Sequence, residues 1–89
     1  MLLCLPGLAK EREVDRTSGI SMEVFEKIQE IQTLAESEQL GKAEELLRDL
    51  LDDKLTDYER AQSWFLMGYI RYQKDDMKGA LEAYKQVMA

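Results

Sequence analysis

From residue 21 onward, apolar residues recur every three or four positions, the spacing that lines one face of an α-helix. Val24, Ile28, Ile31, Leu34 and Ala35 form a first stripe. Ser21, whose hydroxyl can accept from the free N–H groups of a first turn, predicts a helix from there to about residue 37. After a polar break over 36–39, the stripe Leu40, Ala43, Leu46, Leu47, Leu50 and Leu51 predicts a second helix over about 40–53. Gly41 costs its start on the order of 1 kcal/mol relative to alanine, so the first turn is expected to fray or tighten into 3₁₀. Asp52 and Asp53, at the negative end of the helix dipole, help to stop it.

Thr56-Asp57-Tyr58-Glu59 has the Ser/Thr-x-x-Glu form of a capping box and predicts a third helix over about 57–74. The pair Asp75-Asp76 makes a tight turn. Asp76 then caps a fourth helix carrying Met77, Ala80, Leu81, Tyr84, Val87 and Met88. No segment reads as a strand, and the short connections force antiparallel neighbours. The expected fold is all-α: two antiparallel helix hairpins, residues 21–55 and 56–89, behind an apolar and charged leader over 1–20.

That leader opens with an apolar run over 1–9, broken by Pro6 and Gly7 and far short of the roughly 20 residues that span a bilayer. It closes on Gly7-Leu8-Ala9, a small-x-small pattern like the end of a secretory signal, but lacks a basic start. Read as a truncated export signal, it places the mature start near Lys10 and the protein in the periplasm; read as a greasy N-terminus, it leaves the protein cytoplasmic. Residues 10–20 mix charges of both signs with Thr17-Ser18-Gly19 and read as an arm.

Composition narrows the chemistry. The 89 residues hold 12 basic and 18 acidic side chains, a net charge of -6, the wrong sign for gripping nucleic-acid phosphates. There is no histidine, the commonest general base and metal ligand near neutral pH. Cys4 is the sole cysteine and lies in the apolar run, away from any base. The carboxylate groups Glu44-Glu45, Asp49-Asp52-Asp53 and Asp75-Asp76 follow no cation-loop spacing and read as solvated helix faces or ends. The expectation is a protein that is not an enzyme, with no cofactor and no metal.

Trp64-Phe65-Leu66-Met67-Gly68 followed by Ala80-Leu81-Glu82-Ala83-Tyr84 resembles the tetratricopeptide pattern W-x₂-L-G … A-x₃-F, with Met67 for leucine and Tyr84 for phenylalanine. Gly68 and Ala80 are small enough for two helices to approach closely, with Trp64, Met67 and Tyr84 filling the space around them. Arg71 stands where the pattern has an aromatic, which weakens one contact. The earlier hairpin matches through Ala43-x₃-Leu47, 37 residues before Ala80-x₃-Tyr84 and about three longer than the family period. Lys27 and Glu30 stand there in place of Trp64 and Met67.

The resemblance implies a helical solenoid whose first helices line a concave face that binds a partner peptide or helix. It assigns Phe65, Tyr69, Tyr72 and Gln73 to that face, with Phe25, Gln29 and Gln32 as first-hairpin equivalents. Without a single asparagine, the chain lacks the lysine and asparagine clamp by which some family members hold acidic tails. A further resemblance is to small exported bacterial tetratricopeptide proteins of Ton-type systems, through the leader, the arm around Arg16-Thr17 and the run from Ala80 to Val87. Because about three repeats make a stable array, either the chain is a fragment of a longer one or Leu81, Tyr84, Val87 and Met88 mediate self-association into a homo-oligomer. The alternative function is accordingly a structural or assembly subunit without a peptide groove.

Overall fold

The computed structural model describes residues 19–88, which form four α-helices: α1 (Met22–Glu36), α2 (Leu40–Leu51), α3 (Asp57–Gln73) and α4 (Met77–Met88). Among the described residues there is no strand. The all-helical class and all four elements agree with the hydrophobic pattern. The apolar leader with Cys4, the start near Lys10 and the arm through Ser18 lie outside the described residues.

Local chemistry sets three of the four helix starts. Ser21 Oγ accepts from Val24 N at 3.2 Å, and Asp76 Oδ1 accepts from Gly79 N at 2.9 Å. At Thr56 the capping box is complete, with Oγ1 accepting from Glu59 N at 3.1 Å and Glu59 Oε1 accepting from Thr56 N at 2.9 Å. The start of α2 has no side-chain cap, yet the helix is regular from Leu40 onward, Gly41 included. The expected fraying is absent because Ala43 and Leu47 are fully buried, and fixing that face outweighs one glycine's propensity.

Helix α2 ends at Leu51, two residues short of expectation. Its last carbonyls are claimed from α3: the Arg60 guanidinium donates to Leu51 O at 3.1 Å and Asp53 O at 3.4 Å. A cation placed there also offsets the two aspartates at the negative helix end.

The turns within the two hairpins are the same motif. Glu38 N donates to Ala35 O and Gln39 N to Leu34 O; 37 residues later, Asp75 N donates to Tyr72 O and Asp76 N to Arg71 O. This is the Schellman pattern, whose C′ residue is left-handed and usually glycine. Glu38 and Asp75 both adopt φ 65° there without being glycine, a conformation that costs L-residues about 1–2 kcal/mol. Because both turns and the helices after them repeat at one spacing, residues 22–51 correspond one to one with residues 59–88, while α3 begins two residues earlier than the match of α1.

The core runs through Val24, Ile31, Ala35, Ala43, Leu47, Leu50, Leu66, Met67, Ile70 and Ala83, with Trp64 packed partly against it. Helix α3 is the centre: it packs most extensively on α4, then on α2, and lightly on α1, while α1 rests mainly on α2. The α3–α4 contact depends on Gly68, where any Cβ would overlap the Tyr84 ring. On α4 the buried residues are Ala80 and Ala83; Ala83, absent from the sequence stripe, is fully covered, whereas Met77, Leu81 and Met88 stay exposed.

Candidate interaction surface

Matching the hairpins position by position shows opposite outer faces. In α3, Ser63, Leu66, Met67 and Ile70 are buried; their counterparts in α1, Glu26, Gln29, Glu30 and Thr33, are exposed and polar. The shallow depression lined by Lys27, Glu30, Ile31, Leu46, Asp49 and Leu50 follows from the same difference, since Lys27 and Glu30 hold the places of Trp64 and Met67.

At the other end the relation reverses. Ala35 on α1 is 8% exposed and Glu44 on α2 is 7% exposed, whereas their counterparts Tyr72 and Leu81 are 53% and 57% exposed. Leu47 and Leu50 are buried, and the matching Tyr84 and Val87 only half-buried. Among the described residues, the cover on the first hairpin is α3, the only helix beyond that pair that packs substantially on it. No described residue covers the second hairpin in the same way.

All seven residues expected on a partner-binding face, Phe25, Gln29, Gln32, Phe65, Tyr69, Tyr72 and Gln73, are exposed. They do not form one set. Phe65 packs on Tyr84 with ring centroids 5.7 Å apart, so it continues the open face of α4, and Tyr72 corresponds to Ala35 beside it. Gln29 holds the place of buried Leu66, on the polar face. The sequence reading missed Tyr58, half-exposed about two helical turns before Phe65. Tyr58, Phe65, Tyr69 and Tyr72, spaced by seven, four and three, make an aromatic stripe along α3. Of the self-association set, Leu81 and Met88 are exposed, Met88 at 84%, while Tyr84 and Val87 are half-buried.

Two buried carboxylates hold the hairpins together. Glu44, expected on a solvated face, instead sits among three cations: Lys74 Nζ at 2.7 Å, Arg48 Nη2 at 3.1 Å and Arg71 Nε at 3.3 Å. Burial alone raises its pKa, but the hydrogen bond and charge of Lys74, with Arg71 and Arg48, outweigh it and hold the carboxyl below its ordinary 4.5. Arg71 also donates to Gly79 O at 3.3 Å. Arg71 thus makes a polar link joining α2, α3 and α4.

Glu59 serves two helices. Besides its own capping box, its Oε2 accepts from Ser21 N at 2.7 Å, the N-cap backbone of α1. Helix α1 has Val24 at the position where a capping glutamate would stand, so α3 supplies the missing carboxylate. Burial again works to raise the pKa, and the bonds from Ser21 and Thr56 more than reverse it. Thr56 Oγ1 adds a bond to Gly19 O at 3.1 Å.

These carboxylates are structurally committed. No buried side-chain nitrogen or oxygen among the described residues lacks a partner, and none of their His, Cys, Asp and Glu side chains form a group of three suited to a metal ion. No described helix is long and apolar enough to cross a membrane. The fold defines an all-helical chain of two hairpins with one polar and one apolar outer face. No protein-family model matches it, and no curated protein or solved structure is significantly similar.

Proposed function

We propose that this chain is a protein-interaction module of the tetratricopeptide kind, without catalytic chemistry, which takes a protein segment on the aromatic side of α3. The supporting observation is the stripe Tyr58, Phe65, Tyr69 and Tyr72, each 43–57% exposed on the helix whose opposite side is the centre of the core. Tyrosine and phenylalanine on a rigid helix offer large contact area at low entropy cost, the composition of binding hot spots. The Gly68–Tyr84 contact supports the reading, and the two like turns repeat at 37 residues, about three more than the family period.

A photo-cross-linking residue at position 69 tests this against one at position 26 on the polar face. Partner adducts are expected at 69 and not at 26; equal yields at both would sink the reading. The second reading, self-association through α4, draws on exposed Leu81 and Met88. It predicts a concentration-dependent dimer in sedimentation that Leu81→Glu dissolves. Leu81 is the better probe than Tyr84, whose ring also packs over Gly68.

A further inference from the structure

The protein carries its own template for what its open face receives. Helix α3 packs on the α1–α2 pair, mainly on α2, and directs Arg71 and Lys74 onto Glu44, beside the apolar cluster that holds Ile28, Ala35 and Leu47. The matching residues of the second hairpin are Phe65, Tyr72, Tyr84 and Leu81, with Met88 in the place of Leu51. Its apolar character suits a helix laid in the same way, but Leu81 replaces the central acid Glu44 and Lys78 replaces Gly41.

In the first hairpin the ridge of α2 facing the incoming helix reads Gly41, Glu44, Arg48; in the second the same ridge of α4 reads Lys78, Leu81, Lys85. Three- and four-residue spacing puts both lysines beside Leu81 on one side of α4. Both are exposed, and neither forms an ion pair among the described residues. Glu82 stands on the outer side of the same ridge, four residues from Lys78 and three from Lys85, so the ridge beside Leu81 keeps a net charge of +1. The opposite rim, on α3, is neutral at Gln62 and Tyr69.

From this the geometry points to a specific occupant: an amphipathic helix of a partner protein, with an apolar seam on Leu81, Tyr84 and Met88 and acidic residues where α3 carries Arg71 and Lys74. The inference rests on the reading of the chain as an interaction module. A second copy stacked in register does not meet the requirement, because its α3 would set Arg71 and Lys74 against Lys78 and Lys85. Nor does its acidic α1 face, where Glu26 and Glu30 stand without an apolar stripe.

Two synthetic 18-residue helices with one leucine and alanine seam, flanked by glutamate in one and lysine in the other, test it by fluorescence anisotropy on the full chain. The glutamate-flanked helix should bind about tenfold tighter at low salt, with the gap closing at about 1 M salt. Leu81→Glu should abolish binding of both, and the Lys78→Glu, Lys85→Glu pair should invert the preference. Equal affinities, a preference unmoved by the lysine pair, or a Leu81-dependent dimer that binds neither helix would overturn the inference. Peptide failure with cross-linking intact at position 69 rejects this occupant alone; charge-selective binding with position 69 silent rejects the aromatic stripe and keeps the open face.

Discussion

In the first hairpin, α1 turns Glu26, Gln29 and Glu30 to solvent while Ala35 and Glu44 are covered; in the second, Ser63, Leu66 and Met67 are buried and Tyr72 and Leu81 stay uncovered. The turns are alike, so backbone geometry does not separate the two. What separates them is which edge of each pair carries apolar side chains. A stack of such hairpins has direction: one end is sealed by polar residues and the other presents surface for a further helix.

The largest test of this asymmetry compares one position in both hairpins. Leu47→Ala should cost about 2–5 kcal/mol, as for other fully buried leucines. Tyr84→Ala should cost roughly half as much, because its outer side already faces water. Urea titrations followed by circular dichroism decide it. Equal losses would mean that the second hairpin's face is covered as deeply as the first.

Next in size is Glu59→Ala, which strips two backbone donors of their acceptor and should cost about 2–3 kcal/mol. Hydrogen exchange should speed up at Ser21 as well as at Thr56. Protection that persists at Ser21 would show that α1 does not depend on α3 for its cap.

Two of the three helical glycines, Gly41 and Gly68, should respond with opposite sign. Gly41 has open space where a Cβ would go, so Gly41→Ala should stabilise by up to about 1 kcal/mol. Gly68→Ala meets the Tyr84 ring and should lose about 1–2 kcal/mol through overpacking. Tyr84→Ala in the same chain should turn that loss into a gain; a loss that persists would place the clash elsewhere.

The gentlest effect is that of pH. Glu44 and Glu59 both ionise below 4.5 when folded, so in that window the unfolded chain binds more protons and stability rises with pH. Their contribution is complete above the unfolded value and is lost as pH falls through the folded values. Denaturation midpoints between pH 6 and 3 should fall accordingly, and Glu44→Gln should flatten the slope. An unchanged slope would mean that the Glu44 cluster adds nothing to the linkage.

Much of this fold is legible along the chain because its signals are local. Ser21, the Thr56–Glu59 box and Asp76 mark helix starts through bonds that reach only three residues ahead, and the 3.6-residue stripes mark the helices between them. The aromatic stripe was legible in part: Phe65, Tyr69 and Tyr72 stood out from the family pattern, whereas Tyr58, inside the capping box, read as part of a cap. Glu44 gave no sequence signal of burial, since two of its three cations lie 27 and 30 residues away. The double role of Glu59 is hidden likewise, for its second bond spans 38 residues.

The sequence by itself determined the helices, their caps and the hairpin pairing, because these rest on periodicity and on contacts within one turn of the chain. Only the tertiary structure decided which apolar edges are covered. A stripe such as Leu81, Tyr84 and Met88 has the same period whether or not a helix lies on it, and coverage is a relation between elements that no single stripe contains.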